Sequence, residues 1–168
     1  MDELINKLNK LLASSFTMYL KAHNFHWNVE DQDFPQYHEF FGQLYEEVYG
    51  SVDTTAEQIR ALGGYAKGSL TDFKELSVVR DQVTIPSLQE MVAILKRDND
   101  SVISVLMEVH DAATTQKEFG LINYIEGRID VHKKHGWMLR ASLKKNNVAE
   151  EVVEASDDIK TYVLQINS

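Results

Sequence analysis

Apolar side chains recur every three or four residues along four long segments, at about residues 2–28, 34–62, 86–111 and 117–145. This spacing places the apolar residues of each segment on one face of an α-helix. In the first segment that face comprises Leu4, Leu8, Leu11, Leu12, Ser15, Phe16, Tyr19, Ala22, His23 and His26. The pattern therefore predicts four amphipathic helices of about 25 residues each.

Residues that favour turns and helix ends separate these segments. The polar run at residues 30–33 ends the first helix. Gly63 and Gly64 end the second helix, because glycine adopts the left-handed conformation of a helix cap at low cost. Pro35 and Pro86 stand at predicted helix starts, where the missing N–H of proline is tolerated.

The remaining segments are shorter. The connection at residues 65–85 is predicted to contain a short helix near Thr71–Leu76, with Thr71 or Ser69 as its cap. Residues 148–168 follow Asn146-Asn147 as a tail, with an acidic amphipathic helix to about residue 166. We therefore expect a single all-α domain over residues 1–168, folded as an antiparallel four-helix bundle with a short helix between helices 2 and 3.

The amino-acid composition restricts the metal ligands, catalytic groups and binding partners that this chain can have. The chain has no cysteine, so disulfides, thiolate zinc sites and cysteine nucleophiles are excluded, and any metal needs His, Asp, Glu, carbonyl or water ligands. Twenty-six acidic against seventeen basic residues give a net charge of −9, which repels phosphate backbones. The N-terminal residues lack the features of a signal peptide, and no apolar run reaches the length of a membrane span. We expect a cytoplasmic protein with no membrane partner.

The six histidines do not form the motif of an internal di-iron site. Four-helix bundles that hold two irons within one chain use Glu-x-x-His pairs on facing helices. The residues three positions before the histidines are Leu20, His23, Pro35, Met107, Ile129 and His132. None of them is Glu, so this kind of intrasubunit site is excluded.

Two pairs of potential metal ligands remain. Asp53 and Glu57 are four residues apart on the second helix, so their carboxylates share one face beside an apolar stripe. Alternatively, they are a solvated pair at the edge of that stripe. His26 ends the first helix and His38 lies in the first turns of the second, so an antiparallel hairpin brings both to one end of the bundle. Alternatively, His26 is a hydrogen-bonded core residue and His38 a surface residue.

The two pairs are too far apart to share a metal within one chain. His38 and Asp53 are fifteen residues apart on one helix, which separates them by about 22 Å, whereas metal–ligand bonds are about 2 Å. They can share a metal if two copies of the second helix pack antiparallel about a twofold axis, which creates two equivalent sites. Imidazole and carboxylate ligands together suit Fe(II), Mn(II) or Zn(II).

Four segments match one protein family in order and in spacing: HNFHWNV at 23–29, FPQYHEFFGQLYEE at 34–47, VDTTAEQIRALGG at 52–64 and HKKHGWMLRASL at 132–143. With these segments the chain resembles the Dps miniferritins (DNA-binding protein from starved cells) over nearly its whole length. A short helix after the second helix is also a feature of that family.

The resemblance implies a ferritin-like bundle assembled into a hollow homododecamer. It implies iron as the bound metal and ferroxidase sites at twofold interfaces, with His26, His38, Asp53 and Glu57 as ligands. Members oxidise Fe(II), preferably with hydrogen peroxide, store ferric mineral in the cavity and so limit oxidative damage. Trp27 matches a tryptophan beside the site that intercepts radicals in many members; core packing is the alternative for this residue.

The chain departs from the family pattern at several positions. Gly42 replaces an acidic residue found in many members four positions after the second histidine, so one iron position loses a ligand. Asn123 stands where an Asp lines the iron-entry pore in the family. Glu118 and Glu126 lie within about one turn of it and supply either a negative field or a solvated face.

Other histidines and the charged termini affect the choice between functions. His132 and His135 lack an identifiable third ligand and are expected to serve packing or subunit contacts, and the family assigns no ligand role to His23. DNA-binding members usually carry a basic terminal extension, whereas this chain has an acidic tail. We therefore expect an iron-oxidising, iron-storing enzyme without direct DNA binding. The alternative is a DNA-organising or structural shell with little redox activity.

Overall fold

The computed structural model describes residues 1–144 and contains five α-helices in this part of the chain. They are α1 (Asp2–Asn28), α2 (Phe34–Ala61), α3 (Leu70–Leu76), α4 (Leu88–Gln116) and α5 (Phe119–Ser142). Residues 1–144 contain no strand. The predicted tail helix at 148–166 lies outside the described residues.

The four long helices form the predicted bundle. Short connections make α1 and α2, and likewise α4 and α5, antiparallel neighbours, and α1 also packs against α4. The short helix α3 lies against α1 within the long connection from α2 to α4. This arrangement confirms the expected all-α class and brings the end of α1 beside the start of α2, where the candidate histidines lie.

The ends of the helices follow from local hydrogen bonding. Gly63 has a φ of 85°, the left-handed geometry expected after α2. Of the two caps considered for α3, Ser69 is the one observed, since its hydroxyl accepts from the Asp72 amide. The helix α4 begins at Leu88 and not at Pro86, because Ser87 and Glu90 form a reciprocal capping box.

The core is formed by the apolar faces that the helical periodicity predicts. Its largest fully buried side chains include Phe25, Phe41, Leu4, Leu8, Leu11, Met18, Leu44, Ile59, Met91, Leu95, Leu106 and Ile125. Burying a side chain of this size stabilises a fold by about 1.5–3 kcal/mol relative to leaving it exposed. No helix in residues 1–144 is both long and apolar enough to cross a membrane.

Candidate metal centre

His26, near the end of α1, and His38, near the start of α2, form a stacked pair. Their ring centroids are 3.7 Å apart with an angle of 22° between the ring planes. The Nδ1 atom of His26 lies 2.6 Å from the carbonyl oxygen of His38, and the Nδ1 atom of His38 lies 2.9 Å from the carbonyl oxygen of His26. Across the five-residue connection at 29–33, each imidazole is therefore bonded to the backbone of the other histidine.

These reciprocal bonds determine the tautomer of both rings. A carbonyl oxygen only accepts hydrogen bonds, so each Nδ1 must carry the proton and donate. The lone pair of each neutral imidazole is then on Nε2. Histidines that bind metals usually donate their other ring nitrogen to a carbonyl or carboxylate in this way. Both rings are half-buried, which supports neither a fully buried core role for His26 nor a freely exposed role for His38.

Aromatic side chains surround the histidine pair. The ring of His23 stacks on Tyr45 with a centroid distance of 4.0 Å and contacts Trp27 at 4.1 Å. Tyr45 also meets His26 edge-on at 5.3 Å, and Phe34 lies 5.1 Å from His38. Burial and, to a lesser extent, the neighbouring His26 lower the pKa of His23. These contacts hold the rings of the site in fixed orientations.

Trp27 is exposed over 59% of its surface in the single chain. Packing in the core of the subunit, the alternative considered for this residue, is therefore wrong. Its indole contacts His23 while most of its surface faces outward. This leaves the side chain at the margin of the histidine pair.

Gly42 is buried directly against His26. A Cβ atom at position 42 would lie 3.3 Å from Nδ1 and 3.4 Å from Cε1 of His26. A side chain at position 42 would therefore require the imidazole to shift by a few tenths of an ångström. Because residue 42 is glycine, it supplies no side-chain ligand. The His26 ring also leaves little space for a larger side chain at this position.

Asp53 and Glu57 project from a different region of α2. Both are exposed in the single chain, whereas Thr55 between them is buried and bonds to the hydroxyl of Tyr124 on α5 at 2.8 Å. This contact fixes which face of α2 is turned to the core and leaves the two carboxylates on the opposite side. Within one chain they are a solvated pair.

The four predicted ligands thus form two separate pairs. Among residues 1–144, no three His, Asp or Glu side chains lie close enough together to hold one metal ion. A site built from all four side chains therefore needs a second copy of the chain.

The remaining predicted residues fall outside this region. His132 and His135 are buried in the bundle, consistent with packing. Glu118 is half-buried, Asn123 and Glu126 are exposed, and Glu126 lies 3.4 Å from Nε2 of His110.

Sequence reasoning overlooked Tyr45 and the interior ion pair between Lys21 and Asp98. Tyr45 follows His38 by seven residues, which is two helical turns, so its position on the same face was recoverable from spacing. The pair of Lys21 and Asp98 has side-chain exposures of only 3% and 4%, and nothing in the local pattern of either helix indicates it. Such a pair depends on how α1 packs on α4.

The arrangement of the helices is that of a ferritin-like protein. The family model described as "Ferritin-like domain" matches residues 5–148. The solved structure of Dps from Staphylococcus aureus superposes with a TM-score of 0.83 at 30% identity and covers 87% of this chain and 98% of that one.

Similar proteins identify the group of ferritin-like proteins to which this chain belongs. A "DNA protection during starvation protein" from Brevibacillus brevis is 33% identical over 140 residues, covering 82% of this chain and 92% of the relative. The fold is also shared, at 22% identity and a TM-score of 0.82, with a Vibrio cholerae DPS protein described as a member of a broad superfamily of ferritin-like diiron-carboxylate proteins. The chain belongs to the Dps miniferritins of the ferritin-like family.

Proposed function

We propose that this protein is a ferroxidase and iron store. It assembles into a hollow dodecamer, oxidises Fe(II) to Fe(III) at sites between subunits, preferably with hydrogen peroxide, and retains the ferric product in its cavity. The observation that carries the proposal is the reciprocal bonding of His26 and His38, which directs the lone pair of each ring to Nε2. Membership of the Dps family supports the assignment of iron as the substrate.

Each site takes the imidazoles of His26 and His38 from one subunit and the carboxylates of Asp53 and Glu57 from its twofold partner. The exposed position of Asp53 and Glu57 supports this arrangement, because both carboxylates are free to meet another subunit. Two carboxylates balance the charge of Fe(II) and stabilise the additional positive charge of Fe(III). The neutral imidazoles complete the ligand set and are held by their Nδ1 bonds.

Glu57 is our candidate for a bridging carboxylate wherever a second iron binds during turnover. Trp27, at the edge of the histidine pair, is our candidate for intercepting radicals formed from peroxide. The ring of Trp27 contacts His23, whose own ring lies 6.1 Å from His26, and this connects Trp27 to the site. Consumption of peroxide and Fe(II) together limits the formation of hydroxyl radicals in solution.

Direct binding of DNA is not part of the proposed function. The net charge of −9 per chain is multiplied in an assembly, and phosphate backbones are repelled by such a surface. Protection of DNA is then a consequence of the iron chemistry and requires no contact with the duplex.

The first test uses Asp53→Asn, which keeps the shape of the side chain and removes its charge. We expect Fe(II) affinity to fall by at least about tenfold and the fast phase of peroxide-dependent oxidation to be lost, with the helical circular dichroism unchanged. The measurement is anaerobic Fe(II) titration followed by a peroxide pulse, with ferric absorbance and spin-trapped hydroxyl radical recorded together.

Asp111→Asn is the matched control, because Asp111 is an exposed carboxylate on α4, outside the site. It should behave as the wild type. Retention of fast oxidation by Asp53→Asn, or equal loss in both variants, would show that the site lies elsewhere. Oxidation by the wild type no faster than in buffer would reject the ferroxidase function itself.

A further inference from the structure

Hydrogen bonds from α5 hold the stretch of α2 that carries the two carboxylates. Thr55 lies between Asp53 and Glu57 in the sequence and is only 1% exposed. Its hydroxyl lies 2.8 Å from the hydroxyl of Tyr124 on α5. The Tyr124 hydroxyl also lies 3.1 Å from the carbonyl oxygen of Ser51, one turn earlier on α2. The core side of this stretch is therefore bonded to α5, directly behind the exposed carboxylates.

The two hydroxyls and the Ser51 carbonyl form a closed group of three. The Thr55 hydroxyl lies 2.8 Å from the same carbonyl oxygen. Each hydroxyl has one proton to donate, whereas the carbonyl only accepts. Burial raises the pKa of Tyr124, so its phenol keeps this proton. Whichever acceptor each hydroxyl takes, the Tyr124 proton is donated to α2.

This stretch of α2 contains two hydroxyls that bond to the backbone of their own helix. The Ser51 hydroxyl donates to the carbonyl oxygen of Val48 at 2.7 Å, and the Thr55 hydroxyl lies close to that of Ser51 as described. Side chains that bond a carbonyl of the preceding turn slightly destabilise a helix and often bend it. A bond from a neighbouring helix to the same carbonyl therefore helps to set the direction in which α2 continues towards Glu57.

A second contact between α5 and α2 holds α2 further from the carboxylates. Arg128, one turn after Tyr124, pairs with both carboxylate oxygens of Glu47. Glu47 lies six residues before Asp53 on α2. Since this ion pair keeps α2 on the bundle, the loss of the Tyr124 hydroxyl should act on the segment beyond Glu47 without releasing the whole helix.

We propose that Tyr124 is a positioning residue for the carboxylates of the ferroxidase site; this rests on the proposed function. Its hydroxyl holds Thr55 and Ser51 on the core side of α2. The carboxylates of Asp53 and Glu57 are exposed on the opposite side, so their direction follows from that of the helix. Tyr124 thus acts through α2 and sets the angle at which both carboxylates meet the partner subunit.

The test is Tyr124→Phe, which keeps the ring and removes the hydroxyl. Co(II), whose visible absorption reports the geometry of its ligands, is titrated into the assembled protein, and peroxide-dependent Fe(II) oxidation is measured separately. We expect Co(II) affinity to fall about tenfold, the lower end of what outer partners of metal ligands contribute. The Co(II) bands should change in intensity and the fast phase of oxidation should slow, with assembly and helical circular dichroism unchanged.

Substitutions at Thr55 test the same contact from the other helix. Thr55→Val removes the hydroxyl and should reproduce the effects of Tyr124→Phe, whereas Thr55→Ser keeps the hydroxyl and should retain the wild-type Co(II) affinity and spectrum. Because both residues act through one group of hydrogen bonds, Tyr124→Phe combined with Thr55→Val should lose little more than either alone. Fully additive losses would contradict the proposal.

Ser14→Ala is the matched control for a merely structural effect. Ser14 is fully buried on α1, and its hydroxyl oxygen accepts from the Val78 amide at 3.1 Å, so this variant also loses a buried hydrogen bond between two segments. It should lower the melting temperature while keeping the wild-type Co(II) spectrum and affinity.

The outcomes separate this proposal from the proposed function. A wild-type Co(II) affinity and spectrum in Tyr124→Phe, or an equal loss in Ser14→Ala, would overturn the role of Tyr124. Fast iron oxidation that is the same in the wild type and in Tyr124→Phe overturns this proposal alone, whereas no fast oxidation by the wild type rejects the ferroxidase function as well.

Discussion

At the scale of single residues, Gly42 shows how a missing side chain shapes a site. Its identity alone says that position 42 provides no ligand. The structure adds that the ring of His26 lies within 3.4 Å of where a Cβ would be placed. Replacing Gly42 therefore changes the position of an imidazole even when the new side chain carries no chemistry.

Two glycine substitutions on α2 separate helix stability from the geometry of the site. Gly42→Ala and Gly50→Ala each remove the cost of glycine in a helix, which is about 1 kcal/mol. An added Cβ at Gly50 meets no atom within 4 Å, so we expect a higher melting temperature and unchanged Fe(II) binding. At Gly42 it presses on His26, so we expect weaker Fe(II) binding. Thermal unfolding and anaerobic Fe(II) titration measure the two effects; equal Fe(II) affinity in both variants would contradict this prediction.

At the scale of secondary-structure elements, a buried polar network joins α5 to α4 and α2. Nδ1 of His132 donates to the side-chain oxygen of Asn99 at 2.8 Å, and the Arg128 guanidinium lies 3.4 Å from Nε2 of His132. Arg128 is itself paired with Glu47 on α2. Burial, with smaller effects of Arg128 and His135, lowers the pKa of His132 to about 3. The network requires a neutral His132.

This network makes the bundle sensitive to acid. Below the ordinary pKa of about 6.5 the unfolded chain takes up a proton at His132, whereas the folded chain does not until about pH 3. The free energy of unfolding therefore falls as the pH is lowered through this window, by about 2 kcal/mol between pH 6.5 and 5. Urea unfolding followed by circular dichroism at several pH values measures the slope.

His132→Gln removes the titrating group and should flatten this slope between pH 6.5 and 5. The buried His135, whose pKa is also lowered, chiefly by burial, continues to contribute in this variant. His110→Gln, at a partly exposed position on α4, is the matched control and should keep the wild-type slope. The same slope in the wild type and in His132→Gln would contradict the assignment.

The helices themselves were largely predictable, since periodic apolar residues and Gly63 mark their extents. The bounds of α1 agree with the prediction, and α2 ends within one residue of it. The helix α4 starts two residues after the predicted position near Pro86, because Ser87 and Glu90 cap it there, and it ends at Gln116, five residues beyond the predicted end at Asp111. The exact start of a helix depends on which of several polar residues captures the free amides, and adjacent candidates are hard to rank from sequence.

At the scale of the whole molecule, the function proposed here depends on a partner subunit. His26 and His38 meet at the turn between α1 and α2, while Asp53 and Glu57 lie exposed further along α2. In the proposed assembly, a twofold axis pairs α2 with its copy, so that two identical sites form and each takes ligands from both chains.

Mixed assemblies test this arrangement directly. One variant carries His26→Gln with His38→Gln, and the other carries Asp53→Asn with Glu57→Gln. Each alone should lack fast ferroxidase activity. Assembly of the two chains together in equal amounts should restore about a quarter of the sites, because half of the dimers are mixed and each of these has one complete site.

Peroxide-dependent iron oxidation and the number of Fe(II) bound per assembly measure the recovery. Variants assembled separately and then combined serve as the control and should remain inactive. No recovery in the mixed assemblies would show that ligands are not exchanged between subunits in the way we propose.

The sequence by itself predicted the helical elements, the four-helix bundle and the two pairs of candidate ligands, because periodicity and spacing along a helix are local properties. The ferritin-like class was implied by the resemblance of four segments to the Dps family. The roles of the candidate ligands stay predictions until metal binding is measured. Only the tertiary structure decided that His26 and His38 set each other's tautomer, that Gly42 faces an imidazole and that Tyr45 connects the pair to other tyrosines. These features arise where α1 packs against α2, and contacts between helices depend on a three-dimensional fit that no single segment encodes.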